Sequence, residues 1–428
     1  MIKQFSLRRS IDSFTALHAI QSILLMGYSL CQLLVLARVL DTSRFAEVIL
    51  LTTISMFLLP LNVAAGRTNY VALREDIVHD RQVSNWHHVL QLLICHFLLI
   101  LLVSFLLPIG LPISSENYLE DAIFLSSILS TNFVLNDVQV MLWAFDMNKR
   151  FVYVLLARSI LQYMALSLLI ISGTLFEFAT ISLLINLFTI IILMLILRKS
   201  TSLNFNFDKG PAFLLPASEH ARRLFSSLIS SFSEMTVLTL PYVLLTVSFG
   251  VGPALITYDV IMKFVRVVTA AGRVTTEVAL PQITRDLLTG KPETAWRRYL
   301  SIIGLCVFAS LLLAAALVIF DNRIFSLLLG PNNVVPEGTG IVAGVVVVIA
   351  AAYQPSHYIV SVNNSRRLIG CFAAVAVIGF VLFSLVFLLG PSLIKTIWAY
   401  ACYFGLVTLA LVTLSYLAIF ARGLPGRG

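Results

Sequence analysis

Charge is what this sequence has least of. Asp, Glu, Lys and Arg make up 12% of 428 residues, while 59% are hydrophobic. Soluble domains average about 25% charged and about 45–50% apolar, so a water-soluble globular fold is excluded. Signature motifs of catalysis are missing as well. No GxxxxGK[ST], HExxH or GxSxG occurs, so neither a phosphate cradle for nucleotide hydrolysis nor the ligand and nucleophile spacings of common hydrolases is present. Cys31, Cys95, Cys306, Cys371 and Cys402 stand singly in apolar runs with no CxxC spacing. That excludes a disulfide framework and a zinc site and leaves them as small packing residues. No metal and no cofactor is expected. The net charge of +8 has no basic, aromatic-interleaved domain to carry it, so nucleic acid is not an expected partner.

What is present is a succession of apolar runs long enough to cross a bilayer, about 20 residues each. They fall at 14–37, 45–65, 88–108, 120–145, 151–172 and 178–197, then at 224–248, 254–280, 299–320, 337–361, 368–389 and 396–420. The expected fold is therefore all-α: a polytopic membrane protein of twelve transmembrane helices in two six-helix lobes around a central cavity. Residues 1–198 form the first lobe, 199–223 a polar linker containing NFNFDKGP, and 224–428 the second. MIKQFSLRRS superficially resembles a signal peptide, but the run behind it is long enough to span and carries His18, Gln21 and Gln32. It reads as an uncleaved first helix.

Orientation follows from the basic residues. With both termini inside, 21 of the 29 Lys and Arg fall in inner segments, four (Arg38, Arg44, Arg323, Lys395) in outer loops and four within helices. The bias predicts cytoplasmic N- and C-termini, with the linker inside. The largest outer loop, DNRIFSLLLGPNNVVP, leaves little room outside the membrane for an active site.

The charges inside helices are where function is expected. Asp259, Lys263, Arg266, Arg273 and Glu277 fall in the eighth span. At roughly 100° per residue they occupy one stripe about 80° wide. A charge near the bilayer centre costs about 2.5–3.5 kcal/mol on insertion scales unless paired or wetted, so the stripe must face other helices or water. Two (i, i+4) pairs, Asp259–Lys263 and Arg273–Glu277, account for four of the five and leave Arg266 to line a cavity. Glu234 in the seventh span is a coupling carboxylate or, more simply, neutralises Arg266 or Lys263, and Pro241 is placed to kink that helix. Asp137 and Arg158 lie at matching depth in the fourth and fifth spans and suit a structural bridge. Asn132, Asn136 and Gln139, at (i, i+4, i+7), form an uncharged stripe able to bond helices or sugar hydroxyls. Arg67, closing the second span, either binds a phosphate at the inner mouth or follows the charge bias. His18 and His357 read as packed hydrogen-bonding groups. Four bases against four acids make the membrane set neutral by count, so any anion site depends on placement.

LARVLDTSRFAEVILLTTI, at the first hairpin, resembles the entry segment of the polysaccharide transporters (Wzx-type O-antigen and exopolysaccharide flippases) of the multidrug/oligosaccharidyl-lipid/polysaccharide (MOP) exporter superfamily. Leu36, Ala37, Arg38, Leu40 and Phe45 match, whereas Ala46 and Glu47 depart from the usual Gly and small or apolar residue. VGPALITYDVIMKF, LPQITRDLLTGKPETAWRRYL and IFSLLLGPNN are similar to segments of the family's second half, with Tyr258, Pro281, Arg285, Gly290 and Gly330 in fitting places. The resemblance implies a non-enzymatic flippase of the bacterial inner membrane, moving polyprenyl-diphosphate-linked oligosaccharide by alternating access. Arg266, Lys263, Arg273 and Arg158 are the nearest matches to its cationic cavity residues. Implied partners are the lipid-linked oligosaccharide, membrane lipids, and a polysaccharide polymerase and chain-length regulator in the same membrane. Two alternatives stand beside it: a cation- or proton-coupled multidrug antiporter working through Glu234, Asp259 or Asp137, and an intramembrane polymerase or acyltransferase.

Overall fold

A computed structural model of the chain describes residues 2–58, 86–110, 117–145, 147–200, 218–330, 333, 335–363, 366–386 and 392–422. Among them the regular structure is entirely helical. The first set comprises α1 (Ile2–Val39), α2 (42–58), α3 (Trp86–Gly110), α4 (Tyr118–Ser130), a π-helical turn (Thr131–Leu135), α5 (Asn136–Ala144), α6 (Asn148–Ser172) and α7 (Leu175–Ser200). The second comprises α8 (Ser218–Leu238), α9 (Leu240–Phe249), α10 (Pro253–Leu288), α11 (Pro292–Ile319), α12 (Asp321–Leu329), α13 (Thr339–Asn363), α14 (Arg366–Ser384) and α15 (Leu393–Arg422). With α4–α5 and α8–α9 each taken as one run, and the short α12 set aside, twelve membrane-scale segments result among the described residues.

Seven of these helices are long and apolar enough to span by composition alone. The others miss for visible reasons. The charged stripe dilutes α10, the π turn interrupts α4–α5, and α1 and α3 contribute the shorter apolar stretches Ile23–Val39 and Leu93–Ile109. The chain is a multi-pass membrane protein. At 1.5 Å per residue, the 36 residues of α10 extend about 54 Å against about 30 Å of hydrocarbon, so this helix overruns the bilayer core.

Two compact units emerge from the packing. The first takes the described residues of Met1–Tyr28 and Leu50–Ser231, the second those of Ser29–Ile49 and Phe232–Gly428. In the first, Leu129, Phe133, Val138 and Met141 of the α4–α5 run pack on Ile100 of α3 and Leu193 of α7. In the second, α13 is the hub against α10, α11 and α15, buried through Val342, Ala343, Val346, Val347, Ala350 and Ala351. Lipid offers no hydrophobic drive for such contacts; close van der Waals fit and interhelical hydrogen bonds supply it. Gly340 and Gly344 let α13 approach α11. A Cβ at Gly340 would collide with the Leu317 carbonyl oxygen, and one at Gly344 would lie 3.3 Å from Ala314 Cβ. Asp321 Oδ1 accepts a bond from Gly340 N at 3.0 Å, fastening the start of α13 to α12.

Proline acts where expected. Pro241, with no N–H to donate, sits in the first turn of α9, and the run breaks at Thr239 between α8 and α9. Sequence did not foresee α12, which occupies the first part of the segment read as the largest loop.

Candidate functional site

The site in the second unit is built on α10. From Leu255 to Met262 every residue of this helix is buried. From Lys263 onward one side opens: Lys263 and Arg266 are half-buried and Arg273 is exposed. The charged stripe thus begins in packed interior and ends in the open.

Asp259 does not take Lys263 as its partner. Its Oδ1 accepts a hydrogen bond from Tyr242 Oη at 2.7 Å, and Arg266 Nη2 donates to the same phenol oxygen at 3.1 Å. Arg266 Nη2 stands 3.9 Å from Asp259 Oδ1, a loose pair with the phenol as intermediary. Arg266 Cζ lies 5.9 Å from the Tyr242 ring centroid, at the edge of cation–π range. The break before Pro241 is what brings Tyr242 to α10. Lys263 Nζ reaches only Ser29 Oγ of α1, at 3.5 Å, and no carboxylate lies within 4.0 Å of it among the described residues. Tyr258 and Tyr400 close the aromatic wall, with centroids 4.7 Å from Tyr242 to Tyr258 and 5.4 Å from Tyr258 to Tyr400.

Glu234 of α8 meets His357 rather than Arg266 or Lys263: its Oε2 stands 3.9 Å from His357 Nδ1. The imidazole stacks on Tyr353 at 5.8 Å. Arg67 lies outside the described residues, and Glu277 is described only as part of α10, without its side chain.

In the first unit the expected Asp137–Arg158 bridge does not form. Asp137 Oδ2 lies 2.6 Å from His96 Nδ1 of α3, with the Phe133 ring edge-on to the imidazole at 5.2 Å. Arg158 donates from Nε to Asn186 Oδ1 at 2.9 Å and from Nη2 to Thr131 Oγ1 at 2.8 Å. The π turn explains the exchange. Its extra residue rotates everything after Leu135 by about 100° relative to an uninterrupted α-helix. Asp137, beyond the turn, therefore faces α3, while Thr131, ahead of the rotation, bonds Arg158 of α6. Asn132, Asn136 and Gln139 are all half-buried, although the same turn disrupts the regular spacing that grouped them.

His96, Tyr242 and Asn186 are the residues that sequence reasoning missed. A signal existed for two of them. His96 is a lone polar group in LLICHFLLILL, and Asn186 a lone amide in ISLLINLFTIIILML; single polar residues in such runs need partners at matching depth. Replacing His96 with Ala removes the imidazole that bonds the Asp137 carboxylate and should lower stability by about 1.5–3 kcal/mol. Thermal unfolding of the detergent-solubilised protein checks this, with Asp137→Asn less costly because an amide can still bond the imidazole.

Comparison with known proteins places the fold. No protein-family model matches the sequence, and no curated protein matches it. Solved structures do. A multidrug-resistance MATE-family transporter of the MOP superfamily, in an outward-facing conformation, is 14% identical with a TM-score of 0.65, covering 96% of this chain and 95% of that one. A MOP-superfamily transporter from Pyrococcus furiosus, whose binding pocket of reverse polarity suggests a different function, is 12% identical with a TM-score of 0.65 over 96% and 95%. A Vibrio cholerae MATE transporter is 16% identical with a TM-score of 0.58 over 99% and 97%. The chain has the fold of MOP-superfamily transporters.

Proposed function

We propose that this protein is a flippase carrying lipid-linked (polyprenyl-diphosphate) oligosaccharide across the bacterial inner membrane by alternating access, with both termini cytoplasmic. The observation that carries the reading is the charge balance on α10. Among the described residues Asp259 is the one acid paired with these two cations: Arg266 holds it only at 3.9 Å, and Lys263 has no carboxylate within 4.0 Å. A guanidinium and an ammonium in a confined, partly dry setting bind a diphosphate or acidic sugar far better than they would in water. Tyr242 keeps Arg266 aimed while leaving its other N–H groups for the cargo. Asn132, Asn136 and Gln139 are amides suited to sugar hydroxyls, and the exposed Arg273 extends the cationic line. The Pyrococcus neighbour supports the view that this fold serves cargo of more than one polarity. The test is a deletion strain: lipid-linked repeat units should accumulate on the cytoplasmic leaflet and surface glycan should disappear.

A second reading is favoured by the MATE neighbours and by two carboxylates, Asp259 and Glu234, held inside helices. It is a multidrug antiporter in which those acids take a cation or proton. Sensitivity of the deletion strain to dyes and cationic drugs, with surface glycan intact, would select this reading over the first.

A further inference from the structure

We infer that the first unit contains a binding site for a small inorganic anion, of halide size, centred on Arg158. Arg158 is 5% exposed, enclosed by α1, α4 with its π turn, α6 and α7. Both groups that accept its bonds, Asn186 Oδ1 and Thr131 Oγ1, are neutral. No carboxylate stands within 4.0 Å among the described residues, and Nη1 donates to none of their atoms.

This is an uncommon state for a guanidinium. A lysine so placed can shed its proton, but an arginine keeps its charge. Removing one partner from a buried pair leaves an uncompensated charge that costs several kcal/mol, and lipid surroundings make water scarcer still. Asp137, the acid expected to relieve it, is turned to His96. The neighbouring amides bond one another and α4. Asn186 Nδ2 donates to Ser127 O at 2.8 Å, and Gln162 Nε2 donates to Asn186 Oδ1 at 3.2 Å. None of the described residues supplies the counter-charge; a small anion reaching Nη1 would supply it, and at 5% exposure a bulky one has no access. Bound against Nη1, the small anion completes a joint that already ties the π turn to α6 and α7. The site does not depend on what the second unit carries.

The purified protein, at constant ionic strength, should unfold at least about 2 °C higher in sodium chloride than in sodium gluconate. Arg158→Gln should abolish that difference. If Arg158→Gln does not fold, Thr131→Asp serves instead: it puts a carboxylate where Thr131 Oγ1 now stands 2.8 Å from Nη2 and should give a folded protein indifferent to the anion. Crystals grown in bromide should show an anomalous peak against the Arg158 guanidinium. Equal unfolding in chloride and gluconate, a chloride shift that persists in Thr131→Asp, or density for water alone beside Arg158 would each overturn the assignment.

Discussion

Arg266→Glu is expected to abolish surface glycan in a strain that depends on this protein, with the protein still present in the membrane at its usual level. The substitution does more than remove a cation. It sets a second carboxylate beside Asp259, already buried, and leaves Tyr242 Oη facing two acceptors instead of one donor and one acceptor. Like charges in a low-dielectric setting repel strongly, and an anionic cargo would meet net negative charge where it now meets positive. Arg266→Ala should be milder, a loss of roughly tenfold or more in translocation, because one charge-assisted hydrogen bond is worth about 1.5–3 kcal/mol. Asp259→Asn should act in the opposite sense. It frees Arg266 from its loose counter-ion and should tighten binding of a water-soluble diphosphate probe to the purified protein. Normal glycan in Arg266→Glu cells with normal protein levels would defeat the flippase reading.

Gly340→Ala should have the largest effect on folding. A Cβ there would overlap the Leu317 carbonyl oxygen, which is backbone and cannot swing aside, and would press on Asp321. Helix α13 must then move away from α11, loosening the hub of the second unit and the Asp321–Gly340 fastening. Overpacking of this kind costs about 1–3 kcal/mol. Gly304→Ala provides the control: it lies in α11 with nothing within 4 Å of the added methyl, and the gain in helix propensity should leave it neutral or up to about 1 kcal/mol more stable. Thermal midpoints and the yield of folded protein in membranes distinguish the two.

The spans were legible because length and apolarity are properties of a segment taken alone. The reading of 254–280 lies within α10, and 224–248 within α8–α9, down to the break at Pro241. Pairing was not legible, because it depends on how each helix is rotated against its neighbours. Asp259 had Lys263 four residues away, yet the tyrosine beyond the α8–α9 break and Arg266 nearly two turns on are its partners. The π turn has no composition of its own in TNFVL, so the rotation that parts Asp137 from Arg158 left no trace in the residue pattern. The amphipathic α12 was hidden by its brevity and by the Gly-Pro-Asn-Asn that follows it.

The overrun of α10 has a practical outcome. Its last turns and the second turn of α11 are clasped by Arg298, which donates to Asp286 Oδ2 at 2.6 Å and to Gln282 Oε1 at 2.8 Å. Between them Gly290, at φ +70°, has nothing within 4 Å of where a side chain would begin. That tip is a stiff mast with a vacant top, suited to carrying an epitope or a fluorophore whose movement reports directly on the helix that bears the ionic stripe.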